Sequence, residues 1–390
     1  MINIKKSKFI IILIAMFVAG GAFFFGITKL QLVGGTGYTI VSNSDYKILL
    51  DRVGRYSKLE LYLSEIENKY YKDVEEEALF ESMYRALFET LGDEYSKYLD
   101  VEEMETITES NQGHYSGVGV VIMYNDDKEC SVVNVLENSP AEKEGLKSGD
   151  VIVKVAGKTY ESLEGYSSAL RGEENTEVTV IYKRNEAEKE ISIKRKTLED
   201  ISVTGEVMEG NIGVIRIDSF AEPTAAQFKE ELLKMEEKQV KGVILDLRFN
   251  GGGMVDSAVE IADMLMNEGV VVYKEDKLGE KEYYRTEDGK TFLPVVVLCN
   301  EYSASSSEIL IAGLKDQGVP IVGNTTFGKG IIQIISATED GDGYSLTINQ
   351  FFTPDGKVIH GKGIEPDHKV VLDENSKTDL QMEKAIELIM

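Results

Sequence analysis

The sequence predicts a multi-domain α/β protein in four parts: a transmembrane helix, a helical segment, a small β-rich domain, and an α/β core with a mostly parallel sheet and helical crossovers. Three observations carry this prediction. Residues 9–27 contain no polar side chain, residues 113–197 break into short β-type runs between turns, and from about Ile201 strand-like and helix-like patterns alternate. At 390 residues and 42% hydrophobic content the chain has room for about two or three domains with cores of their own.

The first part is residues 1–30. The 19 apolar residues at 9–27 come close to the roughly 20 that a helix needs to cross the hydrocarbon layer. Lys5, Lys6 and Lys8 precede them, so the positive-inside rule places the amino terminus in the cytoplasm and all that follows about Thr28 outside it. A cleaved signal peptide is the competing reading, but its apolar region usually runs about 7–15 residues, and the small residues at 19–22 fall inside the run. An uncleaved anchor in the cell membrane is therefore expected.

The second part, residues 31–112, begins with a short aperiodic tether. Val53, Tyr56, Leu59, Leu63, Ile66 and Tyr70 then recur at spacings of three and four, one stripe of an amphipathic helix; Leu79, Met83, Leu87 and Leu91 form a second stripe. Two readings stay open for these helices: a hairpin packed on its own domain, or pairing of the first helix with a second subunit in a homodimer.

In the third part, 113–197, strands are expected at 117–123, 130–136, 150–155, 177–182 and 190–194. The fourth part is 198–390. Here 212–217, 243–247 and 295–299 read as strands, Pro223 is placed to open a helix to about Lys238, and further helices are expected over 254–266 and from near Ser305. Parallel strands with crossovers put ligands at the carboxyl ends of the strands. Three segments fall there: DLRFNGGG (246–253), NEYSASSSE (300–308) and TFGKGIIQ (326–333).

Charge and composition exclude several classes of function. Asp and Glu outnumber Lys and Arg by 68 to 42, and a net charge of −26 repels phosphate backbones, so no nucleic-acid partner is expected. The segment at 323–329 resembles the front of a phosphate-binding loop, but Gly330 stands where Ser or Thr would hold magnesium, and strand residues follow where a helix should begin. DGDG (340–343) lacks the rest of a calcium loop and reads as a polar hairpin turn. Cys130 and Cys299 are far apart in sequence, and Cys299 closes an apolar run, so neither a disulfide nor a cysteine metal site is expected.

Each chemical candidate has a structural reading beside it. SSSE at 305–308 has the spacing of a capping box, yet a serine at a helix amino terminus also has main-chain N–H groups and a positive partial charge at hand for a developing oxyanion. Lys329 is either a solvated loop lysine or, given Phe327, Ile331 and Ile332 beside it, an amine whose burial favours the neutral base. A serine with a neutral lysine is a known variant of the catalytic triad; a Ser305, His360 and aspartate triad is the rival. The glycines at 251–253 form a tight turn or let a main-chain amide approach a carbonyl.

Taken together these segments resemble the C-terminal processing peptidases, also called tail-specific proteases. The resemblance runs over nearly the whole chain after the apolar run, through LGDEYSKYL (91–99), YSGVG (115–119), SPAEKEGLKSGD (139–150), the three segments above and HGKGIEPD (360–367). It implies a serine endopeptidase without metal or organic cofactor, in which Ser305 is the nucleophile, Lys329 the base and Gln333 the residue that orients the lysine. The amides of Gly252 and Ser306 would form the oxyanion hole, and His360 would be structural. Residues 113–197 would be a PDZ domain that binds the exposed C-terminal tails of protein substrates by strand addition, with the terminal carboxylate at Ser116, Gly117, Val118, Gly119 and Val120. Arg171 would couple peptide occupancy to the dyad. The reading from a different class is a catalytically silent PDZ scaffold.

Overall fold

The structure, a computed structural model, describes residues 43–124, 129–136, 138–185, 187–287, 289, 291–371 and 378–390. Among the described residues no helix is long and apolar enough to cross a membrane, and the run at 9–27 lies outside them. The chain forms two units, Met1–Phe80 and Glu81–Met390.

In the first unit the expected helix runs over Asn43–Lys69. Leu63 is its buried residue, while Tyr56, Ile66 and Tyr70 of the predicted stripe are exposed. In the next helix, Glu76–Glu89, Leu79 and Met83 of the predicted stripe are half-buried, Leu87 is exposed, and Leu91, also exposed, lies beyond the helix end. Aromatic contacts add to its packing: Phe88 stacks on Tyr344 with ring centroids 5.8 Å apart, and Tyr84 meets Tyr98 at 5.4 Å. Tyr84 and Phe88 stand at i and i+4 on one face, which turns Leu87, one position away, to solvent.

A helix absent from the sequence reading follows over Val101–Gln112, opened by a capping box in which Asp100 Oδ1 accepts from the Glu103 N–H at 2.9 Å and Glu103 Oε2 accepts from the Asp100 N–H at 3.0 Å.

The β-rich domain is a five-stranded antiparallel sheet in the order Val120–Tyr124, Cys130–Val135, Val151–Val155, Glu177–Arg184, Ala187–Lys194, with the helix Leu163–Leu170 beside its first strand. The first predicted strand is interrupted: His114–Gly117 leaves the sheet and pairs with Lys196–Glu199, so the two ends of the domain are zipped together. Val120–Tyr124 is therefore an edge strand, open to a further strand.

The core domain holds the expected parallel sheet. Ile212–Ile217, Val243–Asp246, Val295–Cys299, Ile321–Gly323 and His368–Lys369 lie side by side in sequence order and parallel, and Val203–Met208 adds an antiparallel edge. Every residue of Val243–Asp246 and Val295–Cys299 is buried, as expected for strands covered on both faces. The helices Thr224–Glu237, Val255–Leu265 and Ser306–Asp316 share one hydrophobic cluster with the sheet, and Leu380–Ile389 covers the other face through Ala385, Met382 and Ile386.

A second, antiparallel sheet was not foreseen. It joins Lys97–Leu99, Gly343–Phe352, Gly269–Asp276 and Lys281–Thr286, with Ile331–Ala337 paired to Gly343–Phe352. The strand KEYYRT at 281–286 carries too many charges to stand out as a run. The hairpin joining Ile331–Ala337 to Gly343–Phe352 turns at DGDG, as read. Cys130 and Cys299 are free and buried in separate hydrophobic clusters.

Candidate active site

The carboxyl ends of three neighbouring parallel strands deliver three loops to one place. Asp246 ends the first strand, and its carboxylate grips Arg248 through Nε at 2.9 Å and Nη2 at 2.7 Å, while Arg248 Nη1 reaches Asp379 at 2.8 Å. Burial opposes the guanidinium charge, but the two carboxylates prevail and raise its pKa. The chain then turns at Asn250, which is fully buried. Its Nδ2 donates to the Ile217 carbonyl at 2.9 Å, its Oδ1 accepts from the Gly252 N–H at 2.8 Å, and its own carbonyl accepts from the Ala304 N–H at 3.0 Å. One asparagine thus joins the glycine turn to the serine loop. Gly252 backs directly onto that loop: a Cβ there would stand 2.7 Å from Ser305 Cβ and 3.0 Å from the Ser306 nitrogen.

The serine loop is built by its other serines. Ser303 Oγ donates to the Leu247 carbonyl at 2.8 Å, Ser306 Oγ to the Gly253 carbonyl at 2.7 Å, and Ser307 Oγ to the Asn250 carbonyl at 2.9 Å. Ser305, half-buried, makes no side-chain capping bond. Its backbone sits at φ 56°, ψ −115°, a left-handed φ costing of order 1–3 kcal/mol in a residue that is not glycine. The N–H of Ser306, first in the helix Ser306–Asp316, has no acceptor within that helix by position.

The capping box read at 305–308 is present, and its closest bonds run through the Ser305 main chain: the Ser305 N–H donates to Glu308 Oε2 at 3.0 Å, and the Glu308 N–H to the Ser305 carbonyl oxygen at 2.8 Å. Glu308 is fully buried and has more to do than cap. The same Oε2 accepts from the Lys329 N–H at 2.7 Å, and Oε1 accepts from Thr326 Oγ1 at 2.5 Å and the Gly328 N–H at 2.8 Å. Burial raises this carboxyl above the usual carboxylate range, against the pull of its donors. A single carboxylate oxygen therefore spans the main chains of Ser305 and Lys329.

The lysine loop is held from its other side by 359–364. The Gly361 N–H donates to the Gly328 carbonyl at 2.8 Å, the Ile364 N–H to Thr326 Oγ1 at 2.7 Å, and a Cβ on Gly330 would stand 2.4 Å from the His360 nitrogen. His360 is itself exposed, and its main chain is what backs the loop. Burial pulls the Lys329 ammonium below the ordinary lysine range, opposed by Asp93, Glu94 and Glu308. Lys329 Nζ lies 4.4 Å from the ring centroid of Tyr95. Among the described residues no hydrogen bond links it to Ser305 Oγ or to Gln333, whose Nε2 donates to Thr347 Oγ1 at 3.0 Å.

In the β-rich domain the carbonyls of Val118 and Gly119 accept from Ala141 at 2.8 Å and Leu136 at 3.0 Å. Planar trans peptides then turn the N–H groups of Gly119 and Val120 the opposite way. Ser116 Oγ is buried without a hydrogen-bond partner. Arg171 ends the helix Leu163–Leu170 with its guanidinium 5.0 Å from the Tyr115 ring centroid.

Residues 211–370 match the model of peptidase family S41, and residues 116–194 match that of the PDZ domain. The carboxy-terminal processing protease CtpA of Bacillus subtilis (strain 168) is 34% identical over 329 residues, which is 83% of this chain and 70% of that protein. The chain belongs to peptidase family S41. A probable CtpA-like serine protease of Staphylococcus haemolyticus (strain JCSC1435) is 32% identical over 376 residues, covering 95% of this chain and 73% of its own. A putative S41 protease from Bacteroides fragilis NCTC 9343 shares the fold at a TM-score of 0.51 and 15% identity, with 78% of this chain and 89% of that chain covered. This S41 chain is thus a serine-type peptidase related to the C-terminal processing proteases, with a PDZ domain ahead of its α/β core.

Three residues of this S41 site escaped the sequence reading. Glu308 was visible only as the far end of a capping box, while Asn250 and Tyr95 stood inside the DLRFNGGG and LGDEYSKYL segments with no role assigned, since their partners lie tens to hundreds of residues away.

Proposed function

We propose that this protein is a membrane-anchored, extracytoplasmic endopeptidase that cleaves proteins presented by their exposed C-terminal tails, with Ser305 as nucleophile and Lys329 as base. One observation carries the assignment of the nucleophile. Ser303, Ser306 and Ser307 donate their hydroxyls to main-chain carbonyls, whereas Ser305 leaves its Oγ uncommitted on a strained turn that Glu308 ties to the lysine loop.

In the reaction the neutral amine of Lys329 takes the Oγ proton of Ser305 as the oxygen attacks the peptide carbonyl carbon. The carbonyl π pair moves onto oxygen, where the Ser306 N–H receives it, joined by the Gly252 N–H once Asn250 Oδ1 releases it. The C–N bond then breaks with transfer of the lysine proton to the leaving amine, and water hydrolyses the acyl-serine by the same steps in reverse roles. Gln333, four residues beyond Lys329, is assigned to orient the amine, for which its amide must turn from Thr347. Tail binding is assigned to the edge strand Val120–Tyr124 and the loop from Ser116 to Val120, supported by the orientation of the Gly119 and Val120 N–H groups. Arg171 is assigned to couple that groove to the dyad.

The anchor rests on the apolar run at 9–27, and a second subunit on exposed Leu50, Leu61, Tyr62 and Ile66 along the helix Asn43–Lys69. Extraction from membranes by alkaline carbonate would sink the first, and sedimentation as a monomer in detergent the second. The dyad is tested with the full chain in detergent and an unstructured protein ending in an apolar tail. Cleavage lost in Ser305→Ala and Lys329→Ala but kept in His360→Ala is the expected result. Loss with His360→Ala, in a variant that still melts cooperatively, would favour the histidine triad, and tail binding without turnover by the unmodified chain would favour the scaffold.

A further inference from the structure

The segment at 93–96 reaches the dyad from outside the three strand-end loops, and it is fixed in place. Asp93 Oδ1 accepts from the Tyr95 N–H at 3.1 Å, and Asp93 Oδ2 accepts from Ser96 Oγ at 2.5 Å. Ser345 Oγ donates to the Tyr95 carbonyl at 3.0 Å, and the Thr347 N–H donates to Ser96 Oγ at 3.0 Å. Ser345 and Thr347 lie on Gly343–Phe352, the partner strand of Ile331–Ala337, which starts two residues after Lys329. The Tyr95 ring and the Lys329 amine therefore hang from one hairpin, in a register that cannot slide without breaking both sets of bonds. Gln333, directly opposite Thr347 in that register, is bonded to it.

An ammonium 4.4 Å from a ring centroid is held by the negative face of the ring, whereas a free amine is not. The ring is a neutral phenol, since burial, seconded by Glu94, pushes its ionisation up. We propose that Tyr95 is a positioning residue for the base: its ring face parks Lys329 in the charged, idle form, and the lysine leaves it as the neutral amine that takes the Ser305 proton. This rests on the assignment of Lys329 as base made above.

The other charges that face Lys329 are Asp93 and Glu94 from the same segment and Glu308 from the helix, all favouring the ammonium, while His360 acts on Asp93 from the loop behind. Tyr95 adds to their side against burial. Its ring should therefore set where the acid limb of the pH profile falls, because activity rises with pH as the amine loses its proton.

The test compares the full chain in detergent with Tyr95→Leu and Tyr95→Phe, reading kcat/KM against pH and, independently of peptide engagement, the pH dependence of the rate at which a fluorophosphonate labels Ser305. In Tyr95→Leu the acid limb moves to lower pH, so that activity on that limb, relative to the variant's own plateau, is about two- to fivefold that of the unmodified protein. Tyr95→Phe, which keeps the ring, restores the limb. A structural role alone would lower the plateau and leave the limb in place. An unmoved limb in Tyr95→Leu by both readouts overturns the proposal. Labelling of Ser305 that survives in Lys329→Ala would instead remove the lysine as base and leave the parking contact without a catalytic meaning.

Discussion

Glu308 concentrates more of the site's order than any other side chain. Its carboxylate accepts four hydrogen bonds, from Ser305, Thr326, Gly328 and Lys329, inside a fully buried position. Glu308→Gln keeps the volume but turns an NH2 group toward donors, leaving at least one buried N–H without an acceptor. The expected cost is about 2 kcal/mol of stability, read by denaturant unfolding, and a kcat about 10- to 100-fold lower through misplacement of the two loops. Unchanged kcat in the folded variant would mean that Ser305 and Lys329 keep their places without it. The residue types of the proposed dyad suggest themselves in sequence, because a serine at a helix start and a lysine in an apolar loop are local signals. Which of four neighbouring serines is free was not legible, since it depends on carbonyls at 247, 250 and 253 that only the folded chain brings near.

At the scale of elements, the lysine loop and 359–364 fit back to back with no room between them. Gly330→Ala places a methyl group where the His360 nitrogen stands 2.4 Å away, so one of the two segments must shift. A kcat lower by about 100-fold with KM little changed is expected, with a melting transition that remains cooperative; equal kcat would show that the loop yields without disturbing Lys329. The parallel strands and their crossovers were readable because buried runs such as VVVLC at 295–299 and amphipathic helices announce themselves by period. The helix Val101–Gln112 was missed because it buries only Met104 and its start is signalled by a capping box of two acids within an acidic stretch. The second sheet was not assembled from sequence because KEYYRT is mixed in charge, and the hairpin read at DGDG finds its other partners far away in the chain, at Lys97–Leu99 and Gly269–Asp276.

For the whole molecule, the PDZ domain enters and leaves the core through one pair of strands, His114–Gly117 and Lys196–Glu199. Tyr115 lies on that pair, and Arg171 covers its ring at the end of the helix beside the edge strand Val120–Tyr124. If a tail binds at Val120–Tyr124 as proposed, it meets an element one contact away from this strand pair. Arg171→Ala is expected to bind tail peptide as before while losing most of the stimulation of cleavage that the peptide gives, measured by peptide binding and by turnover of a tailless substrate. Stimulation of full size in that variant would sink the coupling. That a PDZ domain precedes the α/β core was legible, whereas the contact of Tyr115 with Arg171 was not, because three strands of the sheet lie between them in sequence.

The two cysteines have a practical bearing on all of this. Burial pushes the Cys130 thiol to about 11 and the Cys299 thiol to about 12, and both lie inside hydrophobic clusters. Neither offers a thiolate at neutral pH to an alkylating reagent. The folded protein is therefore expected to react little with maleimides, and a single cysteine introduced at exposed Tyr302 or Phe327, on the serine and lysine loops, should take a spectroscopic label in preference to either native thiol.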